Sequence, residues 1–267
     1  MNPIDAAFRP GRTLLCPFVT AGFPTIDVLP QMLLAIEHAG AGCIEVGIPF
    51  SDPVADGPVI QESYYAALSH GLTVDATLNA VHLARSLGLT VPLMAMVSFS
   101  IIFKIGTREI ARSFADAGFT GLVLPDLPVE EAPAVVSELT AAGLSACLLV
   151  APTTPSPRRA QIIKLCTGFV YYLSVSGITG ERSNLPPALA AQIAEVKRLS
   201  PRPVCVGFGI SSPEHVRALV GKADGVIVGS ALIRRIAGAV AKSEDPIAAA
   251  AGFIGELSAA LTADAPR

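Results

Sequence analysis

Apolar residues along this chain gather in short runs, and between the runs they recur at the three- and four-residue spacing of an amphipathic helix. The first run, Leu14–Thr20, ends in Ala21-Gly22-Phe23-Pro24, and helical spacing follows from Val28 to Ala39. A second strand, Cys43–Ile48, leads through a proline-rich loop to helical segments over Val59–Ser69 and Val74–Leu87, with Pro58 suited to a first helical position. Further strands are predicted at Pro92–Val97, Leu122–Leu124, Ala146–Val150, Phe169–Leu173, Val204–Val206 and Val226–Val228. The helices between and after them are Thr107–Ala117, Glu130–Ala142, Pro157–Cys166, Pro187–Leu199, Pro213–Val220 and Ala231–Ala241, with a last one from Pro246 to Leu261. Eight strands, each followed by a helix, imply parallel pairing through right-handed crossovers. No linker or composition shift divides residues 1–267, so the pattern predicts one domain, a single (β/α)8 barrel with extra helices. An open doubly wound sheet would need a strand-order reversal, and no glycine-rich dinucleotide fingerprint follows the first strand.

Composition narrows the class. Apolar residues make up 51% and charged residues 15%, enough for a large core. A net charge of −3 provides no basic footprint and argues against nucleic acid as a partner. The five cysteines contain no Cys-x-x-Cys, and Cys16, Cys43, Cys147 and Cys205 fall in predicted buried strands, where a reduced thiol acts as a small hydrophobe. Asp5, Arg9 and Arg12 near the N-terminus do not read as a secretory signal, and a reduced, cytoplasmic protein is expected. Residues 86–103 are uncharged, but Gly88 and Pro92 divide them into a helix end, a strand and a loop rather than a membrane span.

Candidate chemistry starts in the second strand. Alternation places Ile44, Val46 and Ile48 on one face and Cys43, Glu45 and Gly47 on the other. A carboxylate inside a short apolar strand is costly unless something needs it there. The next loop is stiffened by Pro49, Pro53 and Pro58 and carries Asp52 and Asp56. Together these read either as a general acid–base site or as a backbone-capped structural glutamate beside a polar turn. Strand seven ends in Gly207-Phe208-Gly209-Ile210-Ser211-Ser212-Pro213 and strand eight in Gly229-Ser230, where barrels of this kind often hold phosphate. Glycines there let backbone N–H groups approach an anion, though they also serve plain tight turns. The glycine-rich stretch Ser176–Pro186 reads as a lid over a phosphate ester or as a surface loop. All five lysines lie outside the strands, which disfavours a Schiff base, and no histidine is paired at metal spacing. Carboxylate chemistry remains: Glu45, Asp56 and Asp126, with Tyr171 either pointing inward or serving as a core tyrosine.

The stretch Glu45-Val-Gly-Ile-Pro-Phe-Ser-Asp-Pro-Val-Ala-Asp-Gly-Pro-Val-Ile-Gln61 closely resembles the signature of the tryptophan synthase α subunit family. Pro17-Phe-Val-Thr-Ala-Gly-Phe-Pro24, Leu124-Pro-Asp-Leu-Pro128, Phe169-Val-Tyr-Tyr-Leu-Ser174, Gly177-Ile-Thr-Gly180 and Gly207-Phe-Gly-Ile-Ser211 extend the resemblance over nearly the whole chain. It implies cleavage of indole-3-glycerol phosphate to indole and glyceraldehyde 3-phosphate, a retro-aldol lyase step of tryptophan biosynthesis with no metal or cofactor in this chain. By motif position it implies Glu45 as general acid–base, Asp56 as the partner of the indole N–H, and Tyr171 as a supporting tyrosine. Phe18, Val123, Leu149 and Phe208 would line the indole slot; Thr179, Gly180, Gly209, Gly229 and Ser230 would bind substrate at its phosphate end. The family pairs with a pyridoxal-phosphate-bearing β subunit as two α and two β chains, and Asp52 and Pro53 would face that partner. Asp56, on a loop expected to be wetter than the strand, should stay ionised to serve a cationic ring. One departure stands out: Ser98-Phe99-Ser100-Ile101 replaces the family's usual Tyr-x-Asn-Pro near the β contact. The rival expectations are a stand-alone lyase releasing free indole, a non-catalytic subunit that activates β, and a phosphate-sugar isomerase on the same fold.

Overall fold

Eight parallel strands close on themselves in chain order: β1 (Leu14–Thr20), β2 (Ile44–Gly47), β3 (Leu93–Met96), β4 (Gly121–Leu124), β5 (Ser145–Val150), β6 (Val170–Leu173), β7 (Val204–Gly207) and β8 (Gly225–Val228), with β8 pairing back onto β1. The computed structural model describes residues 3–9, 11–53, 56–174, 187–207 and 209–262. Both faces of each strand are covered, which is why the strands read as nearly continuous apolar runs. The outer faces (Ile44 and Val46, Leu122 and Leu124, Val204 and Val206) join one core with the helix residues Leu33, Ile36, Val81, Phe114 and Leu139. The inner faces form a second cluster around Cys16, Cys43, Met94, Val123, Cys147, Phe169, Tyr171, Cys205 and Ile227. All five cysteines are free and buried, and four of them fill this interior as small side chains.

The surrounding helices are α2 (Leu29–His38), α3 (Pro58–Ser69), α4 (Val74–Ser86), α6 (Thr107–Ala117), α7 (Ala132–Ala141), α8 (Ser156–Leu165), α9 (Leu189–Leu199), α10 (Pro213–Leu219), α11 (Ser230–Ala241) and α12 (Pro246–Thr262). Their bounds differ from the periodicity reading by a residue or two, as frayed ends do. Thr73 caps α4 by accepting from the Ala76 N–H at 3.1 Å, and Gly118 ends α6 in the left-handed conformation. Helix α12 packs against α2 and α11 and completes the outer ring.

Two further helices were not expected. Helix α1 (Pro3–Ala7) precedes the barrel, and its Ile4 and the following Phe8 insert into the interior cluster, Phe8 lying 5.9 Å from Phe169 ring to ring. Helix α5 (Phe99–Ile105) corrects the reading of Ser98–Phe103 as a loop. Ser98 caps it by accepting from the Ser100 N–H at 3.2 Å, and no glycine intervenes before Gly106. Both segments are too short to display a helical period. Among the described residues no helix is long and apolar enough to cross a membrane.

Candidate active site

Strand β2 carries Glu45 on the inner wall, paired in register with Phe18 of β1 on one side and Met94 of β3 on the other. Glu45 is fully buried, and neither carboxylate oxygen finds a hydrogen-bond donor among the described residues. An ionised group with no partner in an apolar chamber is strongly disfavoured. Desolvation therefore pushes its pKa up to about 8, so the side chain holds its proton at neutral pH.

Asp56 sits where the loop after β2 turns into α3. Its N–H donates to the Pro53 carbonyl at 3.1 Å, and its carbonyl accepts from Gln61 Nε2 at 2.8 Å. Gly57 then caps α3, with Pro58 in the first helical turn. The loop is not wet: Asp56 is only 7% exposed. Burial, and next the charge of Asp126, push it up to about 7, which corrects the expectation of a carboxylate ionised throughout the neutral range. Asp56 lines a narrow cleft together with Ile48, Phe50, Asp52, Pro53, Tyr64, Met96, Ser98, Pro125 and Asp126. Asp52 is exposed and Pro53 half-buried at its mouth.

Two tyrosines flank the carboxylates. The ring of Tyr171 points inward from β6 and lies across Gly207, where an added Cβ would come within 2.7 Å of the ring. Gly47 has the same function on the other side, since a Cβ there would stand 2.6 Å from Tyr64 Oη. Burial first, and then the charges of both Glu45 and Asp56, raise each tyrosine well above its ordinary range, so all four groups share one electrostatic neighbourhood. Periodicity did not single out Tyr64. It is 3% exposed whereas its neighbour Tyr65 is 77% exposed, and the helical face toward the barrel was the available signal.

The anion-binding candidates lie across the chamber. Gly209 has φ of +83°, a conformation a side chain would strain. Gly229 caps the N-terminus of the twelve-residue α11, which Ser230 opens, and a Cβ at Gly229 would lie 3.6 Å from Phe18. Unpaired N–H groups and the helix dipole favour an anion there. His215 steadies the preceding turn by accepting from the Ser211 N–H at 3.3 Å through Nδ1. Phe18 and Val123 are buried on the inner wall, with Leu149 half-buried beside them. Thr179, Gly180 and Phe208, and the stretch read as a lid, lie outside the described residues. Among the described residues no three His, Cys, Asp or Glu side chains converge as a metal site would. The arrangement offers one protonated acid, one titrating acid, two phenols and an anion-friendly helix end around an apolar slot.

Known proteins match this chain along its length. The family model for the tryptophan synthase alpha chain matches residues 5–262. A protein of Rhodopirellula baltica named tryptophan synthase alpha chain is 40% identical over 271 residues, spanning 98% of each chain. The crystal structure of tryptophan synthase subunit alpha from Legionella pneumophila superposes with a TM-score of 0.90 at 35% identity, covering 98% of both chains. A chain of Mycobacterium tuberculosis tryptophan synthase superposes with a TM-score of 0.86 at 32% identity, over 97% of this chain and 96% of that one. The chain belongs to the tryptophan synthase alpha chain family.

Proposed function

We propose that this chain, working as one barrel domain, cleaves indole-3-glycerol phosphate to indole and glyceraldehyde 3-phosphate by a retro-aldol step in which Glu45 carries the proton. Family membership makes it a lyase of tryptophan biosynthesis. The observation that carries the mechanism is the buried Glu45 carboxyl, which has no hydrogen-bond donor among the described residues and is still protonated at neutral pH. Glu45 delivers its proton to C3 of the indole ring and then removes the proton from the glycerol hydroxyl. The C3–C1′ bond breaks as the aldehyde forms, and the acid ends the cycle in its starting state.

Protonation at C3 leaves positive charge on the ring nitrogen, and ionised Asp56 accepts a hydrogen bond from that N–H. Because burial raises Asp56 to about 7, a developing cation beside it favours the ionised form at the moment it is needed. Tyr171 packs beside both carboxylates; Phe18, Val123, Leu149 and Phe208 enclose the indole. Thr179, Gly180, Gly209, Gly229 and Ser230 bind the phosphate end, with backbone amides in place of lysine or arginine. The chemistry uses no cofactor in this chain.

We assign the partner as a β subunit carrying pyridoxal phosphate, in a complex of two α and two β chains that receives the indole, with Asp52 and Pro53 at the contact. The cytoplasm is the compartment that fits this role. The test is indole release from indole-3-glycerol phosphate by the purified chain, with and without a β subunit. Glu45→Gln is expected to lower kcat by at least ~100-fold with substrate binding retained. The kcat/KM profile of the unmutated enzyme should fall below about 7 with Asp56 and above about 8 with Glu45. Near-normal turnover by Glu45→Gln defeats the assignment. Turnover that no β subunit changes favours the stand-alone lyase.

A further inference from the structure

The turn after β4, Leu124-Pro125-Asp126-Leu127-Pro128, holds a third carboxylate between two prolines. Both oxygens of Asp126 are engaged by the first turn of α5. Oδ2 accepts from Ser98 Oγ at 2.6 Å, and Oδ1 accepts from the Phe99 N–H at 2.7 Å. Ser98 Oγ in turn accepts from the Ser100 N–H, so the serine is both the helix cap and the link to Asp126. On its other flank, Asp126 lines the cleft that also holds Asp56.

We propose that Asp126 is a positioning residue that couples α5 to Asp56, holding the first turn of the helix with its two oxygens while setting the charge that Asp56 faces. A movement of α5 carries Asp126 with it through Ser98 and Phe99, and Asp56 feels the change without itself moving. The groups facing Asp56 are Asp52 from its own loop, Tyr64 from α3, Asp126 from the β4 turn, and Glu45 and Tyr171 from the barrel wall. Of these, Asp126 is the neighbour whose charge raises Asp56, after burial itself. It is also tied directly to a separate helix, and that helix bears Phe103 at 80% exposure.

The catalytic consequence rests on the lyase reading, but the coupling can be measured without it. Asp126→Asn keeps an acceptor for the Phe99 N–H and removes the charge. In the full chain without substrate, the Asp56 carboxyl titration followed by carbon NMR should move down by about 0.5 pH unit or more. The acid limb of kcat/KM for indole release should move down with it. Ser98→Ala keeps the charge and cuts one tie. It should speed amide exchange at Phe99 and Ser100 several-fold, and lower the Asp56 midpoint by less than Asp126→Asn does. If Asp126→Asn does not fold, Ser98→Ala alone carries the test. An unmoved Asp56 midpoint in either folded variant overturns the proposal. Shifted midpoints in a protein that releases no indole even unmutated would sink the lyase reading and leave the coupling standing.

Discussion

At the scale of single residues, Glu45 places a strain on the fold that the proposed proton transfer requires. Its carboxyl titrates near 4.5 in an unfolded chain and at about 8 in the barrel. The native state therefore holds a proton that the unfolded state gives up between those values. Stability from this group is complete below about 4.5 and is lost progressively as pH rises to about 8. The loss amounts to on the order of 5 kcal/mol across the window, since each pH unit is worth about 1.4 kcal/mol. Glu45→Gln removes that titration. Its amide also lacks partners, but that cost does not vary with pH, so the slope is the readout. The variant's melting temperature should gain several degrees relative to the unmutated protein between pH 5 and pH 9, with the gap opening as pH rises. Parallel stability curves would show that Glu45 is not desolvated. Glu45 itself was legible in the sequence, because an acid on the wrong side of an apolar strand stands out. The burial of Asp56 was not, because loop composition reads as wet while the Pro53 and Gln61 hydrogen bonds fold this loop under.

At the scale of elements, the site depends on what two strand ends lack. Gly47 closes β2 and Gly207 closes β7, and each leaves out a side chain where an aromatic ring must lie. Gly207→Ala would drive a methyl into the ring of Tyr171, and strand β7 cannot retreat because it is paired on both sides. The expected result is a loss of about 1–3 kcal/mol in urea unfolding and a drop in kcat/KM of roughly tenfold or more. Unchanged kinetics would mean that the exact placement of Tyr171 does not matter. The strands and long helices were legible because burial on one or both faces imposes a period on many residues at once. Helix α5 was not, because a seven-residue segment displays barely two turns and its start rests on one serine hydroxyl. Ser98 looks like a loss when set against the family's tyrosine. In the folded chain its small side chain caps the helix and binds Asp126.

At the scale of the whole molecule, a barrel that keeps its chemistry at the C-terminal ends of its strands must close its other end with something inert. Helix α1 does this, although five residues gave no periodic signal. Ile4 is fully buried, and Phe8 reaches Phe169 and packs so closely that a Cβ on Gly225 would lie 3.2 Å from its ring. The Arg202–Asp5 ion pair at 3.1 Å also joins α1 to the start of β7, but both partners are about a third exposed and it contributes little. The hold is apolar, so truncating Ile4 should be felt through a cavity that rigid strands cannot collapse. Ile4→Ala is expected to cost about 2–4 kcal/mol in urea unfolding, and Phe8→Ala about as much. The proposed active site faces the opposite end of the barrel, so kcat/KM at temperatures well below melting should stay within about twofold. A large kinetic loss without a stability loss would mean that α1 communicates with the site. A stability loss confined to hydrogen exchange in residues 3–9, with the global transition unchanged, would mean that the plug opens on its own while the barrel stays folded.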